Sequence, residues 1–296
     1  MRARIVPAPA KINLILEVLG RRADGYHDLW SVLLLLDLCD TVAVAPRARG
    51  VHLSVRPPVL PAGPGNLAFR AAEAFFQVSA GARGTGGAAI TLRKRIPVGG
   101  GLGGGSSDAA AVLAALNAMA GRPLTRERLL DLATGLGSDV PFFFSGGAAL
   151  VTGRGEKVAE LPPPRPPRWM VLARTGAPVS TAWAYAQIVP GPRRSPDPAW
   201  QAAAAAGQTE ALLGMAFNRL EEVVFPARPD LAALKARLVQ LGAAPVCLTG
   251  TGAALFGFAP GRNAARAWRD ALKEEGSEAW VCRTLPENPI RATALA

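Results

Sequence analysis

Residues 97–108 read PVGGGLGGGSSD, so six of the seven positions from 99 to 105 are glycine. Glycine has no Cβ, which lets its backbone N–H groups approach a ligand closely. The stretch follows a basic segment, residues 93–95, and precedes SSDAAAVLAALNAMAG at 106–121, whose composition is typical of a helix. The glycine loop is therefore predicted to connect a strand to the start of a helix.

A loop in this position predicts a binding site for a phosphate group. A helix N-terminus carries partial positive charge, and glycine-rich turns direct several N–H groups at one anion. We expect the helix to begin at Ser106 or Ser107, with a serine as its N-cap and Asp108 in its first turn. The Ser107 hydroxyl is also a candidate ligand for magnesium beside a bound triphosphate. A flexible surface loop is the alternative interpretation.

Two common glycine motifs fit this loop less well. Gly99, Gly101 and Gly104 satisfy G-x-G-x-x-G, but a run this rich in glycine meets that pattern easily. A dinucleotide site also needs an acidic residue at the end of the next strand, whereas here one helical pattern follows another. A Walker loop is excluded because no lysine follows the glycines.

Length and composition predict two globular domains. The chain has 296 residues, of which 50% are hydrophobic and 19% are charged, and this is long enough for two cores. LPPPRPPRW at 161–169 holds five prolines in nine positions, which makes it a stiff connector that cannot lie inside a helix or a sheet. We therefore predict domains at 1–161 and 162–296.

The net charge of +11 favours anionic partners such as nucleotides. Arginines are spread along the chain and only 6% of residues are aromatic, so a stacking surface for nucleic acid has little support. Three distant cysteines and two histidines give no metal-ligand spacing and are typical of a reduced, cytoplasmic protein. The apolar runs are too short to span a bilayer. We expect no nucleic-acid partner and no membrane segment, while a monomer and a homodimer both stay open.

Helical and strand patterns mix along the chain, which indicates an α+β fold. Short β-prone stretches open the sequence and turn around Asp24 and Gly25. Helical spacing follows at 66–78, with Asn66 as its N-cap. Further helices are predicted at 124–137, 199–215 and 229–242, strands at 169–174 and 248–258, and a last helix and strand leading to 281–285.

Three motifs resemble those of the GHMP kinases, the superfamily of galactokinase and of homoserine, mevalonate and phosphomevalonate kinases. They are PAKINLIL at 9–16, PVGGGLGGGSSDAA at 97–110 and LTGTGAALF at 248–256. The resemblance implies a two-domain α+β fold, with an N-terminal ribosomal-protein-like β-α-β domain and a ferredoxin-like C-terminal domain. It also implies transfer of a phosphoryl group from ATP, with Mg²⁺, to the hydroxyl of a small molecule.

Site residues follow from this resemblance by position. Asp139 falls on the catalytic aspartate of the family and Lys11 on its lysine. The alternatives are a helix-capping Asp139 and a solvated Lys11 at a strand end. For ATP, the resemblance implies contacts at Asn66 and Lys94 near the adenine, where a helix cap is the alternative for Asn66, and at Pro97, Gly99, Gly100, Gly101, Leu102, Gly103, Gly104, Gly105, Ser106 and Ser107.

Two further motifs, DGYHDL at 24–29 and GSDVPFF at 137–143, resemble one branch of the superfamily. That branch phosphorylates the 2-hydroxyl of a cytidyl-diphosphate methylerythritol in non-mevalonate isoprenoid synthesis. The resemblance implies that Tyr26 and Tyr185 sandwich the cytosine and that His27 hydrogen-bonds to the base; half-buried tyrosines in unrelated cores are the alternative. Other implied substrate contacts are Asn13, Thr181, Gly250, Thr251 and Gly252.

Two other functions stay open at this point. One is a GHMP kinase of the homoserine or mevalonate type, whose substrate has no nucleobase. The other is a basic nucleic-acid-binding module, which would show salt-sensitive binding and no nucleotide turnover.

The chain also departs from the family pattern at three places. Thr251 stands where serine is more usual, and Asp108 stands where asparagine is common, which brings a negative charge close to the phosphates. LLLLDLCDT at 33–41 is unusual because Leu35 and Cys39 are apolar, so no substrate contact is carried over to it.

Overall fold

The computed structural model describes residues 3–79, 86–188 and 194–295. Its strands are β1 (Arg4–Arg21), β2 (His27–Arg47), β3 (Arg49–Arg56), β4 (Gly86–Arg93), β5 (Ala148–Gly153), β6 (Lys157–Leu161), β7 (Trp169–Arg174), β8 (Phe217–Asn218), β9 (Val246–Leu248), β10 (Ala254–Phe258) and β11 (Glu278–Arg283). Its helices are α1 (Leu67–Val78), α2 (Gly104–Met119), α3 (Arg126–Leu136), α4 (Thr181–Ala186), α5 (Pro198–Ala205), α6 (Thr209–Leu213), α7 (Glu221–Ala227), α8 (Pro229–Gln240), α9 (Arg262–Glu274) and α10 (Pro289–Leu295).

A seven-stranded sheet carries the first half of the chain, in the order β3-β4-β2-β1-β8, with β5 paired to β2 and β6 to β5. The long β1–β2 hairpin is its centre, and most of β1 is a continuous buried run because both faces of the strand are covered. The register of this pair shifts between Pro9 and Lys11 and again between Asn13 and Ile15. Such bulges redirect side chains locally, and here they flank residues 11–13.

Helix α2 lies at the centre of the first core. Residues 107–118 are all buried, among them the six alanines 109–111, 114, 115 and 118. Small side chains on every face let α1, β1 and α10 pack closely around one helix. Helix α10 comes from a part of the chain far from α2 in sequence. Its Ile290 is fully buried, and the amide of Asn288, just before the helix, donates to the carbonyls of Phe143 and Ser145.

A second, antiparallel sheet has the order β11-β7-β10-β9. Helices α8 and α9 cover it, and their buried Leu234, Leu238 and Trp268 belong to a core that also includes Val171 and Leu255 of the sheet. The chain enters this sheet through the proline-rich residues 162–168, after the end of β6. It returns to the first sheet with β8, which pairs with β1 in parallel, and to α2 with α10.

The mixture of helices and strands follows the predicted pattern, and three of the expected elements differ. The single strand expected over 248–258 is divided into β9 and β10 by the turn at Gly250 and Gly252, both of which have positive φ. Helix α2 begins earlier than expected, at Gly104, after Gly103 in the left-handed region at φ 68°. No side chain caps it, so the predicted serine cap is wrong; Ser106 and Ser107 lie within the first turn because the glycine turn itself starts the helix. The single helix expected over 199–215 is divided into α5 and α6 at Gly207, whose φ is +66°.

Asn66 caps α1 as predicted, since its side chain accepts a hydrogen bond from Ala68 N–H. The hairpin expected around Asp24 and Gly25 is the β1–β2 turn. Across residues 3–79, 86–188 and 194–295, no helix is both long and apolar enough to cross a membrane. The domain boundary between residues 161 and 162 stays a prediction.

Candidate active site

The glycine loop is a tight backbone structure in which alternate residues take left-handed conformations. Gly99, Gly101 and Gly103 have φ angles of 73°, 73° and 68°. A Cβ on Gly101 would lie 2.1 Å from the carbonyl oxygen of Thr249, and a Cβ on Gly103 would lie 2.9 Å from Lys11 Cγ. Both distances are shorter than a van der Waals contact, so a side chain would clash at these positions. They require glycine both for the positive φ and for the lack of space.

The segment 248–253, which connects β9 to β10, holds this loop from the other side. The N–H of Ala253 donates to Gly99 O at 3.3 Å, and the Thr249 hydroxyl lies 3.4 Å from Gly101 O. The Asn218 amide donates to the carbonyls of Leu248 and Gly250, which fixes the turn. Gly250 and Gly252 both have positive φ, as a tight turn requires. Sequence analysis missed Thr249 and Asn218, because their partners are distant in the chain.

A cavity of about 330 Å³ opens along the glycine loop. Apolar side chains, the loop backbone and the first turn of α2 line it together. Its volume and its mixture of apolar side chains and backbone N–H groups suit a small-molecule site. The lining residues are Leu60, Leu67, Lys94, Ile96, Pro97, Val98, Gly99, Gly100, Gly101, Leu102, Gly103, Gly104, Gly105 and Ser106.

Lys11 and Asp139 form an open ion pair beside the loop. The Lys11 ammonium lies 3.6 Å from Asp139 Oδ2, and the side chains are 5% and 43% exposed, respectively. Both the backbone and the side chain of Lys11 are fixed. Its backbone N–H donates to Leu102 O at 2.9 Å, and its ammonium donates to Asn13 Oδ1 at 2.5 Å. Lys11 is therefore not the solvated alternative. Asp139 does not cap the short 3₁₀ helix Pro141–Phe144, whose N-cap is Val140.

Asn13 lies on the same face of β1 as Lys11, and its amide orientation is fixed. Its N–H donates to the Thr249 hydroxyl at 3.0 Å, and its Nδ2 donates to Ser31 Oγ at 2.9 Å. The Ser31 hydroxyl donates in turn to Ile15 O at 2.6 Å. Because Nδ2 is committed to Ser31, Oδ1 must face the Lys11 ammonium. Ser31 is a further residue that sequence analysis missed, on the neighbouring strand.

Two pairs of side chains occupy the side of the site away from the loop. The rings of His27 and Tyr185 pack in a tilted arrangement, with centroids 5.3 Å apart and an interplanar angle of 30°. Tyr26 is 55% exposed, and the guanidinium of Arg154 lies 4.8 Å from its ring centroid. The two tyrosines are thus paired with His27 and Arg154 rather than with each other. Arg154, on the β5–β6 turn, carried no recognisable signal in the sequence.

Two of these aromatic groups have shifted pKa values. Burial lowers the pKa of His27, and the charge of Arg21 lowers it further, which favours the neutral imidazole at pH 7. Burial raises the pKa of the Tyr185 hydroxyl, and the nearby charge of Asp139 adds to the shift. Tyr185 is therefore a neutral hydroxyl, and its electrostatic link to Asp139 indicates that the aromatic side and the ion pair belong to one site.

Thr181 and Thr251 meet at another edge of the site, with their hydroxyl oxygens 3.3 Å apart. Thr181 is the first residue of α4, and Ser180 caps that helix. The methyl group of Thr251 therefore does not prevent a hydroxyl contact at this turn.

Lys94 is buried and already paired. Its ammonium lies 2.5 Å from Asp108 Oδ2 and also hydrogen-bonds to Asp40. Burial alone would lower the pKa of Lys94, but the two carboxylates outweigh this and raise it. The negative charge of Asp108 is thus paired with the ammonium of Lys94, the residue that follows β4.

Asn66 also has committed polar atoms. Besides capping α1, its Nδ2 donates to Pro61 O at 2.9 Å, so both ends of the amide are used within the protein. The next residue, Leu67, contributes its side chain to the cavity. The structure thus places Asn66 next to a cavity-lining residue, with its own amide bonded to the backbone.

The donor set for a magnesium ion is small. Among the described residues, no group of three or more His, Cys, Asp or Glu side chains could hold a metal ion. Ser107 Oγ is buried and has no hydrogen-bond partner within that part of the chain. One unpartnered hydroxyl at the start of α2 fits an ion whose other ligands are phosphate oxygens and water. The Ser107 hydroxyl is therefore the candidate protein donor for a magnesium ion that arrives with a nucleotide.

Comparison with known proteins identifies the family. Residues 66–147 match the model of the GHMP kinase N-terminal domain, and residues 201–278 match that of the GHMP kinase C-terminal domain. A 4-diphosphocytidyl-2-C-methyl-D-erythritol kinase from Symbiobacterium thermophilum is 41% identical over 282 residues, covering 93% of this chain and 98% of the relative.

Solved structures give the same result. A crystal structure of 4-(cytidine 5'-diphospho)-2C-methyl-D-erythritol kinase matches with a TM-score of 0.78 and 37% identity, covering 96% of this chain and 99% of the other. A homoserine kinase from Cytophaga hutchinsonii matches with a TM-score of 0.70 but only 19% identity, over 97% and 96% of the two chains, and so shares the fold alone. The chain belongs to the GHMP kinases, with their two-domain α+β fold, and within them to the 4-diphosphocytidyl-2-C-methyl-D-erythritol kinases.

Proposed function

We propose that this chain transfers the γ-phosphoryl group of ATP to the 2-hydroxyl of 4-diphosphocytidyl-2-C-methyl-D-erythritol. The products are the 2-phosphate and ADP, in non-mevalonate isoprenoid synthesis. The relatives described above are 4-diphosphocytidyl-2-C-methyl-D-erythritol kinases, which supports this choice of substrate. Membership of the GHMP kinases supports the use of ATP. The single observation that carries the chemistry is the Lys11–Asp139 pair, a buried ammonium beside a partly open carboxylate, next to the phosphate-binding loop.

Asp139 is proposed to hold the acceptor hydroxyl and to receive its proton. A tertiary alcohol is a weak nucleophile, and phosphoryl transfer depends mainly on alignment and charge neutralisation. Asp139 has the exposure needed to reach a substrate, while the hydrogen bond to Asn13 Oδ1 keeps the Lys11 ammonium in place. Lys11 would then orient Asp139 and offset negative charge that develops during transfer.

ATP is proposed to bind along the loop cavity, with its phosphates at the glycine backbone and the N-terminus of α2. The adenine would lie against the apolar side chains of Leu60 and Leu67. Lys94 would contribute as part of the wall and Asn66 as the cap of the helix that carries Leu67, since their polar groups are engaged within the protein. The Ser107 hydroxyl is the proposed protein ligand of Mg²⁺, which would neutralise phosphate charge when bound.

The cytidyl group is proposed to bind on the aromatic side of the site. His27 and Tyr185 are already in contact, so they would form one wall for the base, and the exposed ring of Tyr26 would form the other. A neutral His27 can both donate and accept a hydrogen bond at the base edge. Arg154, beside Tyr26, would place positive charge near the diphosphate.

Asn13, Thr181, Thr251 and the Gly250–Gly252 turn are proposed to contact the acceptor and its phosphates. Mg²⁺ dependence, a cytoplasmic location, the absence of a nucleic-acid partner and the choice between monomer and homodimer stay predictions. A homoserine or mevalonate substrate is not favoured by any contact described above.

Steady-state release of ADP from magnesium-ATP tests this function. The cytidyl substrate should support turnover of about 1–100 per second, and homoserine, mevalonate and a reaction without acceptor should give none. Turnover with homoserine or mevalonate would keep the kinase but contradict the cytosine pocket. No turnover with any acceptor, in protein that is folded, would contradict the proposed reaction.

A further inference from the structure

The Lys11 ammonium is held more closely by a neutral amide than by its charged partner. It hydrogen-bonds to Asn13 Oδ1 at 2.5 Å, whereas the carboxylate of Asp139 lies 3.6 Å away, beyond hydrogen-bond distance. An ammonium and a carboxylate that bond directly approach to about 2.7–2.9 Å. In this protein, the Lys94 ammonium lies 2.5 Å from Asp108. The Lys11–Asp139 pair is therefore kept apart by its surroundings.

Ser31 fixes the amide that holds the lysine. The Ser31 hydroxyl donates its one hydrogen to the carbonyl of Ile15 at 2.6 Å, and a carbonyl oxygen can only accept. Ser31 Oγ can then only accept from the side chain of Asn13, whose Nδ2 donates to it at 2.9 Å. The amide oxygen of Asn13 is left for the Lys11 ammonium. The direction of every hydrogen bond in this chain is thus set by one backbone carbonyl.

A β-bulge brings that carbonyl to Ser31. The register of β1 against β2 shifts between Asn13 and Ile15, where β1 has one extra residue. A bulge changes which groups face each other across a strand pair. Here the hydroxyl of Ser31, on β2, meets the carbonyl of Ile15, on β1. The contact is therefore built into the hairpin that also carries Lys11.

Burial makes this orientation of the amide hard to reverse. Ser31 is fully buried, and Asn13 and Lys11 are 5% and 4% exposed. A reversed amide would direct Nδ2 at the ammonium, so that two donors face each other. It would also require Ser31 to leave the carbonyl of Ile15 in order to donate to Oδ1. Both losses are costly away from water, so the amide keeps its oxygen toward Lys11.

We propose that Ser31 is a positioning residue for the phosphoryl transfer. Acting through Asn13, it holds the Lys11 ammonium at a distance from Asp139 at which the charges attract but no hydrogen bond forms. The carboxylate then stays available to the acceptor. The proton of the acceptor hydroxyl passes to Asp139, the acceptor oxygen bonds to the γ-phosphorus of ATP, and ADP leaves. The inference rests on the proposed function, because it takes Asp139 as the base.

The separation matters for the chemistry of the carboxylate. A carboxylate that accepts a hydrogen bond from an ammonium is a weaker base, and the ammonium would compete with the acceptor hydroxyl for the same oxygen. At 3.6 Å, Lys11 can still offset negative charge that develops during transfer. Without the Ser31 hydroxyl, the amide of Asn13 is free to turn, and Asp139 is the partner that the ammonium can reach.

Kinetics of Ser31→Ala with magnesium-ATP and the cytidyl substrate test the inference. The kcat should fall by about 10–100-fold, as expected when a reacting group is slightly misplaced. The KM for ATP should stay as in wild type, since Ser31 does not line the loop cavity, and a general loss of structure would not give this split. Ser145→Ala is the matched control. It removes a buried serine hydroxyl that has no hydrogen-bond partner within the described residues, and it should leave kcat unchanged.

A double-mutant cycle shows whether Ser31 acts through Asn13. Ser31→Ala should lower kcat in the wild-type background but have little effect in Asn13→Ala, where the amide is already absent. Equal effects in the two backgrounds would overturn the inference. An unchanged kcat in Ser31→Ala would overturn it as well.

Crystal structures give a readout that does not depend on turnover. In Ser31→Ala, or in Asn13→Ala if the first variant does not fold, the Lys11 ammonium should bond directly to Asp139, at less than about 3.2 Å. A separation unchanged from wild type would overturn the inference. A wild-type protein that does not phosphorylate the cytidyl substrate would instead contradict the proposed function, while these structures would still show whether the amide sets the distance.

Discussion

Two lysine–aspartate groups flank the glycine loop, and they differ in how completely they are paired. In one group, the Lys94 ammonium is enclosed between the fully buried carboxylates of Asp40 and Asp108. On the other side, Lys11 lies 3.6 Å from Asp139, whose side chain is 43% exposed. The closed group satisfies its lysine within the protein, whereas the open group leaves a carboxylate accessible to a ligand. The same two residue types thus form a closed group in one place and, in the other, leave a carboxylate open for the proposed chemistry.

Asp139→Asn should have the largest effect on activity. Asparagine keeps the shape but cannot accept the proton of the acceptor hydroxyl, so kcat is expected to fall by about 10²–10⁴. Affinity for ATP should change little, because Asp139 does not line the loop cavity. Steady-state kinetics with a direct ATP-binding measurement checks both points. Near-normal kcat would remove Asp139 from the mechanism.

Replacing each lysine by methionine separates the two groups most directly. Lys94→Met leaves two buried carboxylates without a cation and should lower the free energy of unfolding by about 3–5 kcal/mol. Lys11→Met leaves Asp139 in contact with water, so its stability loss should be much smaller while kcat falls. Urea unfolding and kinetics of both variants measure this. Similar stability losses in the two proteins would contradict the distinction between a closed and an open group.

Tyr26→Ala extends the comparison to the open side of the site. Loss of one stacked base contact should weaken the cytidyl substrate by about 1–3 kcal/mol. ATP affinity should stay as in wild type, since Tyr26 is not part of the loop cavity. Competition binding with the two ligands provides the readout, and equal losses for both would count against a cytosine site at Tyr26.

Stability should depend on pH through the closed group. Asp108 has a folded pKa raised to about 7, above the usual aspartate value of 3.8, so it contributes stability that is present at low pH and is lost as the pH rises through about 7. Asp108→Asn removes this titration. Between about pH 4 and pH 7, wild type should therefore lose at least about 1 kcal/mol relative to the variant. Urea unfolding at several pH values measures it, and parallel pH profiles would show that Asp108 does not titrate in this range.

Local signals in the sequence predicted much of this architecture. The cap of α1 at Asn66, the β1–β2 turn and the position of the glycine loop all depend on residues close together in the chain. The start of α2 was wrong by two residues because a left-handed glycine, Gly103, begins the helix instead of a serine side chain. Local pattern cannot distinguish a serine at a cap from a serine in the first turn.

The contacts that organise the site could not be predicted, because their partners are far apart in sequence. Asn13 and Thr249 are separated by 236 residues, and the Asn218 amide reaches the third motif across about 30. The role of Asp108 was open for the same reason: its negative charge has meaning only once folding brings Lys94 and Asp40 to it. Motif resemblance predicted candidate residues for the site, and the fold shows which side chains contact them.

The packing of α10 against α2 also bears on how the protein is made. A ribosome delivers residues 104–119 long before residues 288–294, yet Ile290 and the Asn288 amide complete the core around that helix. Until they emerge, the nascent chain has an uncovered apolar surface beneath its phosphate loop, a surface that chaperones bind. The core around α2 is therefore complete only after α10 has been synthesised. A chain that ends before α10 would have the glycine loop but lack part of the core that supports α2.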